Sequence, residues 1–311
     1  MKIQGSILSF CMTLILSQFN VLHAQDELAI LQYLTTWGEL GNGPSQFKDP
    51  QGISVDPSGC LYIADTGNQR IQKLNSNGEF ISEIGGYGWE KEQFDTPLDI
   101  CAKNGLDVFV ADFQNNRIER YDKDLHYLAS LKNSEEWPEN LQFGFPKSVD
   151  ISSQGELFCV DGENQRILKF DVFGQAQMSF GDFDSGEGQL DQPQNVFVSS
   201  KGKVYVSDAG RKCILVYDVH SNYFSSIGTK VLEKPMGMAL NRDGTLFVSD
   251  AMKKQIIIFE STGSFLKSYG PKIGPLCTLV EPVDVAVWRE RLFILDKKQN
   301  GVFVFQWVRP K

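Results

Sequence analysis

The chain has 311 residues, 41% of them hydrophobic, 12% aromatic and 22% charged, and that much apolar side chain excludes a disordered chain, which cannot offset its ordering entropy. Lys and Arg total 30 against 39 Asp and Glu, a formal net charge of −9, which speaks against a nucleic-acid partner because phosphate binding needs a basic footprint. With 28 Gly and 22 Phe, and turn residues spread evenly along the chain, the composition leans towards an all-β protein with many tight turns.

Residues 1–24 read as a secretory signal peptide. Lys2 supplies a positive start, Ile7 to Leu16 is mostly apolar, and Ser17-Gln18 restores polarity before a cleavage position after Ala24. The apolar stretch falls short of the ~20 residues that span a bilayer. A secreted or periplasmic protein without a membrane span is expected, with residues 25–311 forming one domain. Five cysteines follow: Cys60, Cys101, Cys159, Cys213 and Cys277. Their odd number leaves at least one thiol unpaired, and no C-x-x-C pair points to zinc or redox chemistry. The export compartment permits a bridge without fixing its partners.

The first element, Tyr33 to Gly38, reads as an outer strand followed by Gly41, Gly43 and Gln46-Phe47. After Pro50, Ile53 and Val55 alternate with polar residues up to the turn Asp56-Pro57-Ser58-Gly59. Leu61 to Ala64 is a second strand ending at Asp65, Arg70 to Leu74 a third, and Phe80 to Ile84 a fourth, with Asn/Gly turns between them. Such runs predict antiparallel hairpins.

This unit then repeats. Prolines at Pro50, Pro97, Pro146, Pro193, Pro235 and Pro282 are 47, 49, 47, 42 and 47 residues apart. Each is followed by an Asp: Asp65, Asp112, Asp161, Asp208, Asp250 and Asp296, at a distance of 15 residues in five copies and 14 in the last. A four-stranded sheet with two apolar faces must stack on neighbours, and a ring of such sheets is a six-bladed β-propeller. The last copy, ending near Phe303-Val304-Phe305, lacks a fourth strand. The N-terminal strand is expected to complete it, closing the ring and removing an exposed edge.

The run Gly52-Ile53-x-Val55-Asp56-x-x-Gly59, then Tyr62-Ile63-Ala64-Asp65-x-x-Asn68-x-Arg70-Ile71, resembles the NHL repeat. Copies two and three keep Asp112/Asn115/Arg117 and Asp161/Asn164/Arg166, whereas copies four to six drift away from the Asn and Arg. The resemblance implies a propeller that serves as a binding platform, as a scaffold or occasionally as an enzyme.

The recurring Asp reads as structural, because catalysis uses one site and not six equivalents. Cys159 fills the slot held elsewhere by Ile63, Val110, Val206 and Val248, and so reads as a core thiol. Only His126 and His220 follow the signal segment, both in turns after third strands. A three-His zinc site, as in the peptidyl-hydroxyglycine lyases of similar fold, and a Ser-His-Asp triad are therefore not expected. The acidic loop Glu135-Glu136-Trp137-Pro138-Glu139 reads as a solvated segment or a partner contact.

One ring breaks the symmetry. Two residues after each proline come Gly52, Asp99, Ser148, Asn195, Gly237 and Asp284. Asp99, Ser148, Asn195 and Asp284 are the candidate ligand-binding residues, converging near a channel mouth at the start of the innermost strands. The expected function is a non-catalytic platform for a protein or small-molecule ligand, monomeric and without a cofactor or nucleic acid. The alternative is a calcium-dependent hydrolase or lyase with its site at that mouth, as the likeness to paraoxonase-like and gluconolactonase-like propellers implies.

Overall fold

Runs of β-branched and aromatic residues divided by Asn/Asp/Gly turns give each unit four antiparallel strands. In the computed structural model, which describes residues 31–218 and 220–308, the first unit forms Gly52–Val55, Leu61–Asp65, Arg70–Leu74 and Phe80–Gly85. Four further four-stranded sheets repeat this order of neighbours. The sixth runs from Leu31–Trp37 through Gly301–Trp307 and Arg291–Asp296 to Pro282–Trp288. The expected clasp is therefore present, and the described residues form six blades. The signal peptide expected over 1–24 lies outside the described residues.

The clasp is held by more than its ladder. Leu31 pairs with Trp307 and Trp37 with Val302, across a bulge between Tyr33 and Thr35. Tyr33 meets Phe305 edge-on at 5.7 Å, and Trp37 packs on Phe293 at 5.7 Å. Within a blade, second and third strands such as Leu61–Asp65 and Arg70–Leu74 are buried along their whole length. Outer strands such as Phe80–Gly85 alternate between half-buried and exposed, because only one of their faces meets a neighbouring blade. The core is thus a set of layers between blades. Phe158, Val160, Val196, Val206 and Leu215 make one between blades 3 and 4.

The repeated Asp proves structural in all six blades. Its carboxylate accepts a backbone N–H from the segment leading into its own blade: Lys48, Asp95, Gly144, Asp191, Glu233 and Val280, at 2.7–3.1 Å. In blades 1 to 3 it also takes the Nε of Arg70, Arg117 or Arg166. The rest of that guanidinium reaches loop carbonyls, as Arg70 does with Gly43 and Gln46 at 2.9 Å. The motif is a clamp that pins each inter-blade loop to its sheet.

Two local features depart from the sequence reading. The link between blades 5 and 6 forms a small ribbon, Lys272–Ile273 paired with Cys277–Thr278. Trp137, in the acidic loop, packs on Phe170 at 5.8 Å and donates through Nε1 to Gln175 at 3.1 Å, so its ring is spent on blade 3. The five cysteines are free thiols, with Cys159 fully buried as expected. No helix among the described residues is long and apolar enough to cross a membrane.

Candidate functional site

The innermost strands line the central channel. In blades 2, 3, 4 and 6 the strand register breaks just after the proline, and the residue two positions on bonds to the next blade or across to the previous one. Asp99 accepts the N–H of Val149 in blade 3 at 3.0 Å and that of its neighbour Ile100 at 2.8 Å. Asp284 does the same with Ile53 of blade 1 and its neighbour Val285, both at 2.8 Å. Ser148 Oγ accepts from the N–H of Val196 at 3.1 Å and from Nδ2 of Asn195 at 3.0 Å. These side chains stitch blade 6 to 1, 2 to 3, and 3 to 4.

The glycines of the ring make room for the carboxylates. A Cβ on Gly237 would lie 1.8 Å from Asp284 Oδ1, and one on Gly52 would lie 3.0 Å from Asp99 Oδ1. Burial raises Asp99 to about 6, although the Ser148 hydroxyl and the amides of Val149 and Ile100 pull the other way. Burial raises Asp284 well above the usual carboxylate range, and the charge of Asp99 adds to that.

The structure places this ring at the waist of the channel, not at an open mouth. Asp99, Asn195 and Asp284 line both a small opening of 180 Å³ on the proline side and a larger one of 390 Å³ on the opposite face. Ser148 is only 1% exposed and lines neither, being turned into the junction of blades 3 and 4. All four oxygens of the two carboxylates accept amides, and no three His, Cys, Asp or Glu side chains gather as metal ligands among the described residues. Calcium takes 6–8 oxygens. The ring does not fit it.

The larger opening is framed by the turns between first and second strands. Ile100, Val149, Val196 and Met238 line it beside Asp99, Asn195 and Asp284 of the waist. Trp288 stands at the rim, tied through Nε1 to Pro57 O at 3.2 Å, with Arg289 over its ring at 4.3 Å. Opposite, Lys103 pairs with Asp150, donates to Val198 O at 2.7 Å and covers Phe197 at 4.8 Å. Arg242 and Arg289 are exposed and form no ion pair among the described residues.

The polar groups of this cavity that could move protons or attack a substrate are engaged. Asp56 accepts from Ser58 N, Ser58 Oγ and Cys60 N at 2.6–3.0 Å. Asp150 takes Lys103, the N–H of Val198 at 2.6 Å and the Cys101 thiol at 3.1 Å. Burial pushes that thiol well up, away from the thiolate. Neither histidine lines the channel, and His126 pairs with Asp122 at 2.9 Å in an outer turn.

Sequence reasoning missed Lys103, Arg242, Trp288 and Arg289. A signal existed: the turn after the inner strand carries Lys103, Lys201, Arg242 or Arg289 in blades 2, 4, 5 and 6, and no basic residue in Asp56-Pro57-Ser58-Gly59 or Ser152-Ser153-Gln154-Gly155. Nothing in the pattern says that this face holds the wider opening.

The model described as NHL repeat matches residues 47–74, the first of the units. The Caenorhabditis elegans protein named a probable peptidyl-alpha-hydroxyglycine alpha-amidating lyase is 29% identical over 135 residues, covering 41% of this chain and 38% of that one. Human NHL repeat-containing protein 3 is 31% identical over 122 residues, covering 37% of this chain and 35% of its own. The match thus spans little more than a third of these curated relatives. Virginiamycin B lyase from Staphylococcus aureus superimposes with a TM-score of 0.61 at 13% identity, over 89% of this chain and 99% of that one, a likeness of fold alone. The first unit thus carries an NHL repeat, and the described residues fold as a six-bladed β-propeller.

Proposed function

We propose that this NHL-repeat propeller is a non-catalytic binding platform, taking a protein or small-molecule ligand at the hairpin-turn mouth of its channel. One observation carries the reading. The 390 Å³ opening has Ile100, Val149, Val196 and Met238 among its lining and a rim of Trp288, Phe197, Arg242 and Arg289, while its carboxylates accept from protein donors and its thiol donates to Asp150. A general acid or base must be within reach of a substrate proton, and these groups already serve the fold. Screening small molecules and peptides by Trp fluorescence tests the reading. Hits should lose affinity in Trp288→Ala and should be recovered chemically unchanged. Hits that ignore the substitution, or that are turned over, would overturn it.

A second reading is favoured by relatives named as an alpha-amidating lyase and as a peptidyl-glycine alpha-amidating monooxygenase: a lyase or hydrolase working at the waist. The waist geometry argues against calcium there, and the direct check is metal analysis with a calcium titration of the melt. Any ligand that binds only the folded state raises stability by mass action. Millimolar calcium should leave Tm unmoved; a rise of several degrees would restore the catalytic reading. We further read the chain as exported, monomeric and without a nucleic-acid partner, on the pattern of residues 1–24 and the net charge of −9. Fractionation with N-terminal sequencing, and sedimentation of the purified protein, test those points.

A further inference from the structure

Beside the mouth lies a second cavity of 440 Å³, which shares with it the wall of Lys103, Phe197 and Arg242. Its charged lining is Lys103, Lys201, Lys203 and Arg242, without a single Asp or Glu. On a chain of net charge −9 this is a local inversion of sign. Asp150 matches the charge of Lys103. Lys201, Lys203 and Arg242 are exposed and form no ion pair among the described residues. Lys203 Nζ rests over the ring of Phe224 at 4.4 Å, outside the lining, and an anion entering beside Lys201 and Arg242 would draw it in.

The walls are aromatic as well as cationic. Phe197 lies on one side, and Tyr205 is half-buried beside it. Burial raises the Tyr205 hydroxyl above its ordinary value, so at neutral pH it is an O–H donor. That hydroxyl has no hydrogen-bond partner among the described residues. A donor without an acceptor, next to cations without carboxylates, defines the complement: an acceptor-rich anion on an apolar body. The volume is within the ~300–1,000 Å³ of small-molecule pockets. A polynucleotide would need an extended track of cations along its phosphates, which one compact cavity on an acidic chain does not offer.

We propose that this side cavity binds a small aromatic oxyanion, a carboxylate or phosphate on a flat ring. The ring lies against Phe197 and Tyr205, and the anion is held by Lys201, Lys203 and Arg242. The proposal rests on the reading of this face as a binding face, but it uses a different cavity from the mouth.

Calorimetry of the full-length protein with indole-3-acetate, phenyl phosphate and neutral indole-3-acetamide tests it. At least one acid should bind, with the amide weaker by ~tenfold or more, and high salt should weaken the acid alone. Which acid binds tells the carboxylate from the phosphate. Lys201→Gln with Lys203→Gln, both exposed and so expected to leave the melt unchanged, should cost a similar factor, whereas Trp288→Ala should cost none. Tyr205→Phe gives an independent check on the hydroxyl and should weaken the acid more than the amide. Equal binding of acid and amide, or an unaffected lysine double variant, overturns the proposal. So does silence from every probe at millimolar concentration, or binding of a single-stranded oligonucleotide in their place. If Trp288→Ala abolishes binding and the lysine variant does not, the side cavity fails while the mouth reading stands. If the lysine variant weakens these acids while no hit of the separate fluorescence screen depends on Trp288, the side cavity stands and the mouth reading fails.

Discussion

Replacing Glu119 with Gln should stabilise this protein at neutral and higher pH. Glu119 lies in the third strand of blade 2, Arg117–Asp122, and is completely buried. The equivalent positions hold Gln72, Leu168, Leu215, Ile257 and Phe303, so blade 2 alone places a carboxyl there. Neither of its oxygens accepts a well-directed hydrogen bond, and the hydroxyls of Tyr121 and Ser130 are likewise unpaired, although Ser130 lies near enough to steady the charge a little. Arg117 Nε lies 2.8 Å from Glu119 Oε1, but its one N–H is given to Asp112 Oδ2, also at 2.8 Å. Burial raises the Glu119 carboxyl from 4.5 to about 7, with the charge of Arg117 opposing the rise and that of Asp112 adding to it.

A carboxyl whose pKa is higher in the folded state binds its proton more tightly there. Its contribution is complete below the unfolded pKa near 4.5 and is lost as pH rises through about 7. The shift from 4.5 to about 7, at ~1.4 kcal/mol per unit, caps the loss near ~3 kcal/mol, and relaxation around the charge brings the expectation to about 1–3 kcal/mol. Blade 1 shows what an amide does in this slot. Gln72 accepts from Ser45 N at 2.9 Å and donates to Gln46 O at 2.7 Å. Urea melts of wild type and Glu119→Gln at pH 5, 6, 7 and 8 make the comparison. The variant should lead by about 1–3 kcal/mol at pH 8, and the gap should narrow towards pH 5. Asp99 and Asp284 give both proteins a slope of the same sign, so the difference between the curves is the quantity to read. A gap independent of pH, or a variant weaker at pH 8, would refute the argument.

Deleting Leu31–Trp37 strips the outer strand from Gly301–Trp307 and bares the ladder edge beside Phe305 and Trp307; the truncated chain should aggregate or melt several degrees lower, and a melt like that of the intact chain would contradict the clasp. Asp161→Ala leaves the guanidinium of Arg166 without its carboxylate and should cost ~3–5 kcal/mol, more than Asp250→Ala, which strands only backbone amides at ~1–3 kcal/mol. Asp112→Ala should fall below Asp161→Ala, because Glu119 stands ready to take Arg117; denaturant melts in which all three lose equally would show that the arginine partner is not what matters. Gly237→Ala drives a methyl to within 1.8 Å of Asp284 Oδ1 and should destabilise by several kcal/mol, whereas Gly86→Ala, with open space around it but a φ of +122°, should cost only backbone strain.

The fold was legible because a propeller repeats its constraints. The Pro-to-Asp spacing recurs in every unit since each Asp must meet the same loop amide, as Asp65 meets Lys48 and Asp296 meets Val280. Strand alternation and a missing fourth strand in the last copy were enough to imply the clasp, because an unpaired ladder edge has to be covered. The ring of Asp99, Asn195 and Asp284 was also visible as a break in the repeat, and the structure does bring those three to the channel.

What those residues do was decided elsewhere. Whether a carboxylate on the innermost strand faces water or its neighbour's backbone depends on how closely adjacent blades approach, and on the glycine beside it. Gly52 and Gly237, in the preceding blades, leave room for Asp99 and Asp284, and the amides of Val149 and Ile53, in the following blades, hold them. The cationic cavity is likewise assembled from Lys103, Lys201, Lys203 and Arg242, which lie as far as 139 residues apart in the chain. A strand's periodicity is local and can be read along the chain. The width of each end of the channel follows from packing six sheets around one axis, and that is a property of the closed ring alone.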